Sequence, residues 1–136
     1  MTALTHLFFD TVYFPRNAWA VVRWWETRRP AYNAAVGGAG LVTLAALALL
    51  HALPPLALVA PVVLVYGLIA NLCYSLGPAL DLLARRVGGP DYAPVGPTLF
   101  RYGFVFSIGL TLFPIAIAGL WWVVRIALWL RGAIVG

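Results

Sequence analysis

Few side chains in this 136-residue chain could take part in chemistry, and His51 is the most suggestive of them. It lies at the end of a long apolar run, where its imidazole could serve as an axial ligand for haem or a chlorophyll-like pigment. It could equally hydrogen-bond the end of its own helix. The only other histidine, His6, is far from any apolar run's centre, so bis-histidine ligation within one chain is not expected. We therefore predict no cofactor, with haem or a pigment at His51 as the alternative.

The acidic residues give no site for proton or metal chemistry. There are four, and none lies in the middle of an apolar run: Asp10, Glu26, Asp81 and Asp91. Ion-coupled transporters place a carboxylate at membrane depth, so a coupled transporter is disfavoured. The chain also lacks paired carboxylates, a Ser/His/Asp set and the Cys/His spacing of a zinc site. We expect neither a metal site nor an enzymatic activity.

The most distinctive polar residues follow one helical face of the second apolar run. Gly67, Asn71, Tyr74, Pro78 and Asp81 are separated by steps of three and four residues. An amide in lipid must be hydrogen-bonded, so the Asn71 side chain is expected to bond another helix or subunit. The same face could instead line a ligand groove or a pore. In both interpretations this helical face points away from the lipid, toward protein or a pore.

Three long apolar runs must position these residues, at about 31–53, 56–80 and 99–124. Each reaches the ~20 residues that cross a hydrocarbon core ~30 Å thick as a helix. With 63% hydrophobic and 10% charged residues and a mean hydropathy of +0.93, a soluble chain of this length would have too little polar surface. We predict an all-α membrane protein with three transmembrane helices, preceded by amphipathic interfacial helices.

Residues 1–30 are predicted to form the interfacial segment, as two short helices divided near Pro15. Three tryptophans and four arginines lie close together there, and both side chains are stable at the depth of the lipid head groups. The residues expected to contact lipid or a partner are Trp19, Arg23, Trp24, Trp25, Arg28 and Arg29. The net charge of +5 favours anionic lipid. The arginines are scattered at membrane-flanking positions, so nucleic acid is not an expected partner.

Residues 31–136 are predicted to form the three-span domain, ending in an amphipathic C-terminal tail. Small residues recur at four-residue spacing on the first and third spans, which lets helix backbones approach closely. The positions predicted for helix packing or for a groove are Gly38, Ala39, Gly67, Asn71, Tyr74, Ser107 and Thr111. Pro114 leaves one alternative, a re-entrant hairpin in the last run, although about 33 residues are short for two spans.

The arginines also predict an orientation. They cluster before the first span and between the second and third spans, whereas the turn between the first two spans has none. Because positively charged loops stay on the cytoplasmic side, the N-terminus is predicted to be cytoplasmic.

Two motifs resemble those of a group of small bacterial polytopic membrane proteins with no known activity. They are W-E-x-R-R-x-x-Y-N, from Trp25 to Asn33, and A-N-L-C-Y-x-L-G-P, from Ala70 to Pro78. The resemblance implies an integral protein of the bacterial cytoplasmic, or inner, membrane. It assigns no catalytic residue.

These observations favour a non-catalytic integral membrane subunit that packs against itself or against a larger membrane protein complex. Its expected partners are anionic lipids and other integral membrane subunits or a second copy. One alternative is a homo-oligomeric channel or membrane-perturbing effector, with a pore lined by Asn71, Tyr74, Ser107 and Thr111. Another is an accessory subunit that holds a pigment or haem through His51.

Overall fold

The structure, a computed structural model, describes residues 5, 6, 8, 17–89, 92 and 95–135. Its helices are α1 (Ala18–Glu26), α2 (Arg29–Leu49), α3 (Leu56–Gly88) and α4 (Gly96–Val135), and the described residues include no strand. Three helical stretches are long and apolar enough to cross a membrane: Ala18–Leu49, Leu56–Gly88 and Gly96–Ile134. The predicted all-α fold with three such helices is confirmed, and it indicates a membrane location.

The helix α1 begins at a cap that the sequence analysis did not identify. The Asn17 side chain accepts a hydrogen bond of 2.7 Å from the N–H of Ala20, which satisfies one of the free donors at the start of the helix. After a short break at Thr27, α2 starts with Pro30 in its first turn, where a missing N–H costs no helical hydrogen bond. The predicted helix before Pro15 lies almost wholly outside the described residues, and the interfacial position of residues 1–30 stays a prediction.

The apolar runs and the helices differ mainly at their ends. α2 stops at Leu49, while α3 continues to Gly88 and α4 to Val135. α4 is a single helix of 40 residues that passes Pro114, so the re-entrant alternative is wrong. At 1.5 Å per residue it is about 60 Å long, well beyond the ~30 Å hydrocarbon core. The predicted C-terminal tail is therefore the continuation of the third span.

The end of α2 turns the chain by a Schellman motif. The N–H of Ala52 donates to the carbonyl of Leu47 at 2.8 Å, and the N–H of His51 donates to the carbonyl of Ala48 at 3.1 Å. His51 has a φ of 52°, the left-handed conformation that glycine usually provides at this position. Residues 52–55 then lead into α3.

The helix α4 is the central element of the packing. α2 packs most extensively against α4, and α3 packs against both α4 and α1. The backbones of α2 and α3 rarely come close, and near α1 the two helices meet through the side chains of Arg29 and Tyr32. Most of the buried apolar side chains lie together at the end of the molecule that contains α1: Val21, Trp24, Trp25, Tyr32, Val36, Tyr74 and Phe100. We call this cluster the aromatic junction. The opposite end, around the turn at residues 50–55, is the hairpin end.

Candidate functional site

Trp25 lies at the centre of the aromatic junction. Its ring meets those of Trp24, Tyr74 and Phe100 edge-to-face, at centroid distances of 5.3, 5.6 and 6.0 Å. Aromatic pairs prefer this geometry because the positive ring edge approaches the negative face of the next ring. The absence of a side chain at Gly77 makes the arrangement possible, since a Cβ there would overlap the indole of Trp25. The ring is thus seated directly on the backbone of α3.

Asp81 is a buried carboxylate at the edge of the same cluster, only 2% exposed. Its Oδ2 accepts a hydrogen bond of 3.1 Å from Trp25 Nε1, and its Oδ1 accepts one of 2.8 Å from the hydroxyl of Tyr92. Gly96 lies against it, because a Cβ there would be 2.6 Å from Oδ2. A buried carboxylate needs such donors to offset the loss of hydration. Asp81 therefore ties α1, α3 and the start of α4 together.

Side chains hydrogen-bond the carbonyl groups in the last turn of α1. Arg28 is buried, with its guanidinium carbon 3.8 Å from the centroid of the Trp24 ring. It donates hydrogen bonds of 3.1 Å to the carbonyls of Trp24 and His6. The hydroxyl of Tyr74 donates to the carbonyl of Trp25 at 2.6 Å. A cation here also complements the negative end of the helix dipole. Arg28 accordingly faces the protein interior.

Arg29 links α2 to α3 and to the last turn of α1. It forms a two-bond ion pair with Glu26, at 2.9 and 2.8 Å. The guanidinium also donates to Ser75 Oγ at 3.2 Å and, more weakly, to Asn71 Oδ1 at 3.5 Å. Its central carbon lies 4.8 Å from the centroid of the Tyr74 ring. The Arg29 charge is therefore balanced within the chain.

Three hydroxyl contacts join the long helices farther from α1. The hydroxyls of Tyr32 and Ser107 are 2.9 Å apart, and those of Tyr66 and Thr111 are 2.6 Å apart. Thr43 Oγ1 donates to the carbonyl of Thr111 at 2.7 Å. Every buried side-chain nitrogen or oxygen in the described part of the chain has a hydrogen-bond partner. Such contacts act as interhelical links in lipid.

An open cleft of about 410 Å³ separates α2 from α3, and α4 forms its floor. We call it the α2–α3 cleft. Its walls include Gly37 and Gly40 of α2 and Gly67 of α3, and Thr111 lies at its floor. A Cβ at Gly37 or Gly67 would meet no tertiary neighbour within 4 Å. Packing within this chain therefore does not explain why these two positions are glycine.

The predicted packing positions have different surroundings. Gly67 lines the cleft, whereas Gly38 is exposed outside it and a Cβ there would also meet nothing within 4 Å. Ala39 is half-buried. The remaining four are engaged in hydrogen bonds within or between the helices: Asn71, Tyr74, Ser107 and Thr111.

The residues of the N-terminal segment that were predicted to contact lipid or a partner also differ in their exposure. Trp19 is 71% exposed and Arg23 is exposed. Trp24, Trp25 and Arg28 are instead buried among side chains of the same chain. Tryptophan and arginine occur together both at membrane interfaces and in buried aromatic clusters that an arginine caps. The sequence alone therefore does not show which of these two environments the residues have. Whether the exposed residues contact lipid stays a prediction.

Sequence reasoning missed one of the interhelical links. Tyr66 was not singled out, although its hydroxyl contacts that of Thr111. A tyrosine within an apolar run usually finds a partner for its hydroxyl, and that rule would have identified Tyr66. Phe100 was also missed, because an apolar residue in an apolar run gives no sign of the face that it buries.

No model of a known family matches this chain, and neither a characterised protein nor a solved structure is significantly similar to it. Among the described residues, no group of three or more His, Cys, Asp or Glu side chains could hold a metal ion. The predicted lack of a metal or cofactor stays a prediction.

Proposed function

We propose that this chain is a non-catalytic integral membrane subunit that packs against a second copy or against a larger membrane protein complex. The α2–α3 cleft is the observation that carries this proposal. Consecutive elements usually lie side by side, but beyond the contacts of Arg29 and Tyr32 the helices α2 and α3 leave space between glycine-containing walls. That space is open to whatever surrounds the molecule in the membrane.

The composition of the cleft suits another transmembrane helix. In lipid, helices associate through close packing and hydrogen bonds, because the lipid tails are as apolar as the side chains. Gly37 and Gly67 would let a neighbouring backbone approach closely. The exposed amide of Asn33 lines the same cleft and would offer a hydrogen bond to the incoming helix.

The channel alternative has less support. Polar side chains that line a pore must be free to contact water or ions, and the candidates here are engaged with the protein. Ser107 pairs with Tyr32, Thr111 pairs with Tyr66, and Tyr74 bonds the backbone of α1. These contacts support a structural role for the polar face, which is consistent with a packing subunit.

Filling the cleft tests the proposal. Gly37→Leu and Gly67→Leu would each place a large side chain in the cleft without overlap at Cβ. Gly109→Leu is the matched control, because Gly109 is exposed on α4, does not line the cleft and also has no neighbour within 4 Å of a Cβ. The proteins would be extracted in a mild detergent, and the mass of each complex would be measured by native mass spectrometry.

We expect the wild type and Gly109→Leu to carry a stoichiometric partner, either a second copy or one defined membrane protein. The two cleft variants should weaken this association by about tenfold, which corresponds to a loss of about 1.4 kcal/mol. A wild-type chain that is monomeric in lipid nanodiscs and in detergent would contradict the proposal. So would complexes that persist unchanged in both cleft variants.

A further inference from the structure

The hairpin end carries a second group of polar and aromatic side chains, separate from the α2–α3 cleft. Two adjoining concavities of about 370 and 280 Å³ lie there. Both are lined by Leu50 and His51 from the end of α2 and by Trp122 and Arg125 of α4. Tryptophan, histidine and arginine thus converge on one place where two helices meet.

The helix lengths place this group at the depth of lipid head groups. His51 follows the start of α2 at Arg29 by about 33 Å at 1.5 Å per residue. Arg125 follows Arg101 on α4 by about 36 Å on the same basis. Both lengths slightly exceed a hydrocarbon core of ~30 Å. When the arginines near α1 lie at one membrane surface, His51 and Arg125 reach the other.

The cationic side chain in this group is not balanced by the protein. Within the described residues, neither the Arg125 guanidinium nor the His51 imidazole forms a hydrogen bond or an ion pair. Arg28 and Arg29 at the other end are, by contrast, both bonded to the chain. No aspartate or glutamate occurs in residues 34–80 or 96–135, so the described residues provide no acidic side chain as a counter-ion at the hairpin end. Its charge complements an anion.

The conformation of His51 gives an independent reason to assign it a role. The Schellman position at which it stands favours glycine, because a side chain at a φ of 52° is strained. A strained residue that a more stable choice could replace is a candidate for function. Despite this backbone strain the position carries a histidine, and His51 lines both concavities beside Arg125.

We propose that His51, Trp122 and Arg125 form a binding site for the phosphate of an anionic phospholipid. The guanidinium would donate two parallel hydrogen bonds to phosphate oxygens. The imidazole and the indole N–H would add further donors, and the indole ring would cover the glycerol region, as interfacial tryptophans do. This site does not depend on the subunit role proposed above.

Lipid binding by the full-length chain tests this site. Native mass spectrometry would follow the delipidated protein in detergent after addition of phosphatidylglycerol, phosphatidylcholine or inorganic phosphate. Arg125→Gln removes the charge, and Arg131→Gln is the matched control, since Arg131 is exposed on the same helix and lines neither concavity. We expect one tightly held phosphatidylglycerol per wild-type chain, reduced at least fivefold in Arg125→Gln and unchanged in Arg131→Gln.

Three outcomes would overturn the proposal. Phosphatidylcholine bound as well as phosphatidylglycerol would remove the preference for an anionic lipid. Displacement of the lipid by millimolar inorganic phosphate would show a site for the free anion. Equal loss in Arg125→Gln and Arg131→Gln would show only general attraction to a cationic surface.

His51→Gly separates binding from folding. Glycine relieves the strained φ, so the unfolding temperature should rise by about 2–6 °C. Phosphatidylglycerol binding should nevertheless fall at least threefold, because a donor is lost. A more stable variant that retains wild-type lipid binding would exclude His51 from the site. This variant also keeps the test decisive if Arg125→Gln folds poorly.

Discussion

Two glycines of α3 have opposite surroundings: Gly77 lies in the aromatic junction, and Gly67 lines the α2–α3 cleft. Gly77 is covered by the indole of Trp25, so a Cβ there would overlap the ring. Gly67, ten residues earlier, has no tertiary neighbour within 4 Å of a Cβ. The first glycine is required by the packing of this chain. The second has no such requirement from the described part of the chain.

The reason for the difference is the presence of α1 at only one end. α1 packs against α3, and its tryptophans fill the space beside α4, while Arg29 reaches from α2 to α3. Among the residues that the structure describes, no comparable element lies between α2 and α3 toward the hairpin end. The junction is therefore a protein core of the ordinary kind, whereas the cleft is open at the surface of the described part of the molecule.

Removal of the central ring of the junction should have the largest effect. Trp25→Ala leaves a cavity and also deprives Asp81 of one of its two hydrogen-bond donors. We expect a loss of about 3–5 kcal/mol in the free energy of unfolding, measured by denaturant titration in detergent. Trp19→Ala on the same helix is the control, because Trp19 is 71% exposed and should change stability by less than about 0.5 kcal/mol. Equal losses in the two variants would mean that the junction is not the core.

Substitution of the two glycines tests whether the junction is closed and the cleft is open within this chain. Gly77→Ala should destabilise the monomer by about 1–3 kcal/mol, because the added methyl displaces the Trp25 indole. Gly67→Ala should be neutral or stabilising by up to about 1 kcal/mol, since alanine is the better helix former and nothing opposes it. Both would be measured by the same titration. A loss of equal size at Gly67 would show that α2 and α3 close against each other.

Single hydroxyl groups should give the smallest effects. Tyr66→Phe removes the bond to Thr111 at the floor of the cleft and should cost about 0.6 kcal/mol, as interhelical hydrogen bonds in lipid do. Tyr74→Phe removes one of the two donors to the Trp25 carbonyl, which keeps the N–H of Arg28, and should cost about 1–1.5 kcal/mol. Tyr102→Phe is the control, because Tyr102 is 76% exposed. A larger loss of unfolding free energy for Tyr66→Phe than for Tyr74→Phe would mean that the hydroxyl contact at the cleft stabilises the protein more than the one at the junction.

The positions of the spans could be predicted, but the ends of the helices could not. Hydropathy marks where a chain is apolar, and it located all three long helices. The end of α2 depends on the Schellman hydrogen bonds of His51 and Ala52, which have no apolar signature. α3 continues past its apolar run because Asp81, a charged residue, is buried by partners from α1 and the following loop.

Prediction of the candidate site was limited in a similar way. Spacing by three and four residues placed Asn71 and Tyr74 on one face of a helix, and the structure turns Tyr74 into the junction. Spacing did not reveal that Trp24, Trp25 and Arg28 are buried, nor that a cleft separates α2 from α3. Those features depend on which side chains from distant parts of the chain meet.

The sequence by itself determined that this chain forms three long apolar helices, because insertion into lipid depends on hydropathy summed over each consecutive run of residues. It also determined that residues 34–80 contain no acidic side chain. Only the tertiary structure decided which glycines are covered, which arginines are balanced and where the cleft opens. These properties depend on the shapes of side chains brought together across helices, and in lipid no hydrophobic force closes a gap that those shapes leave.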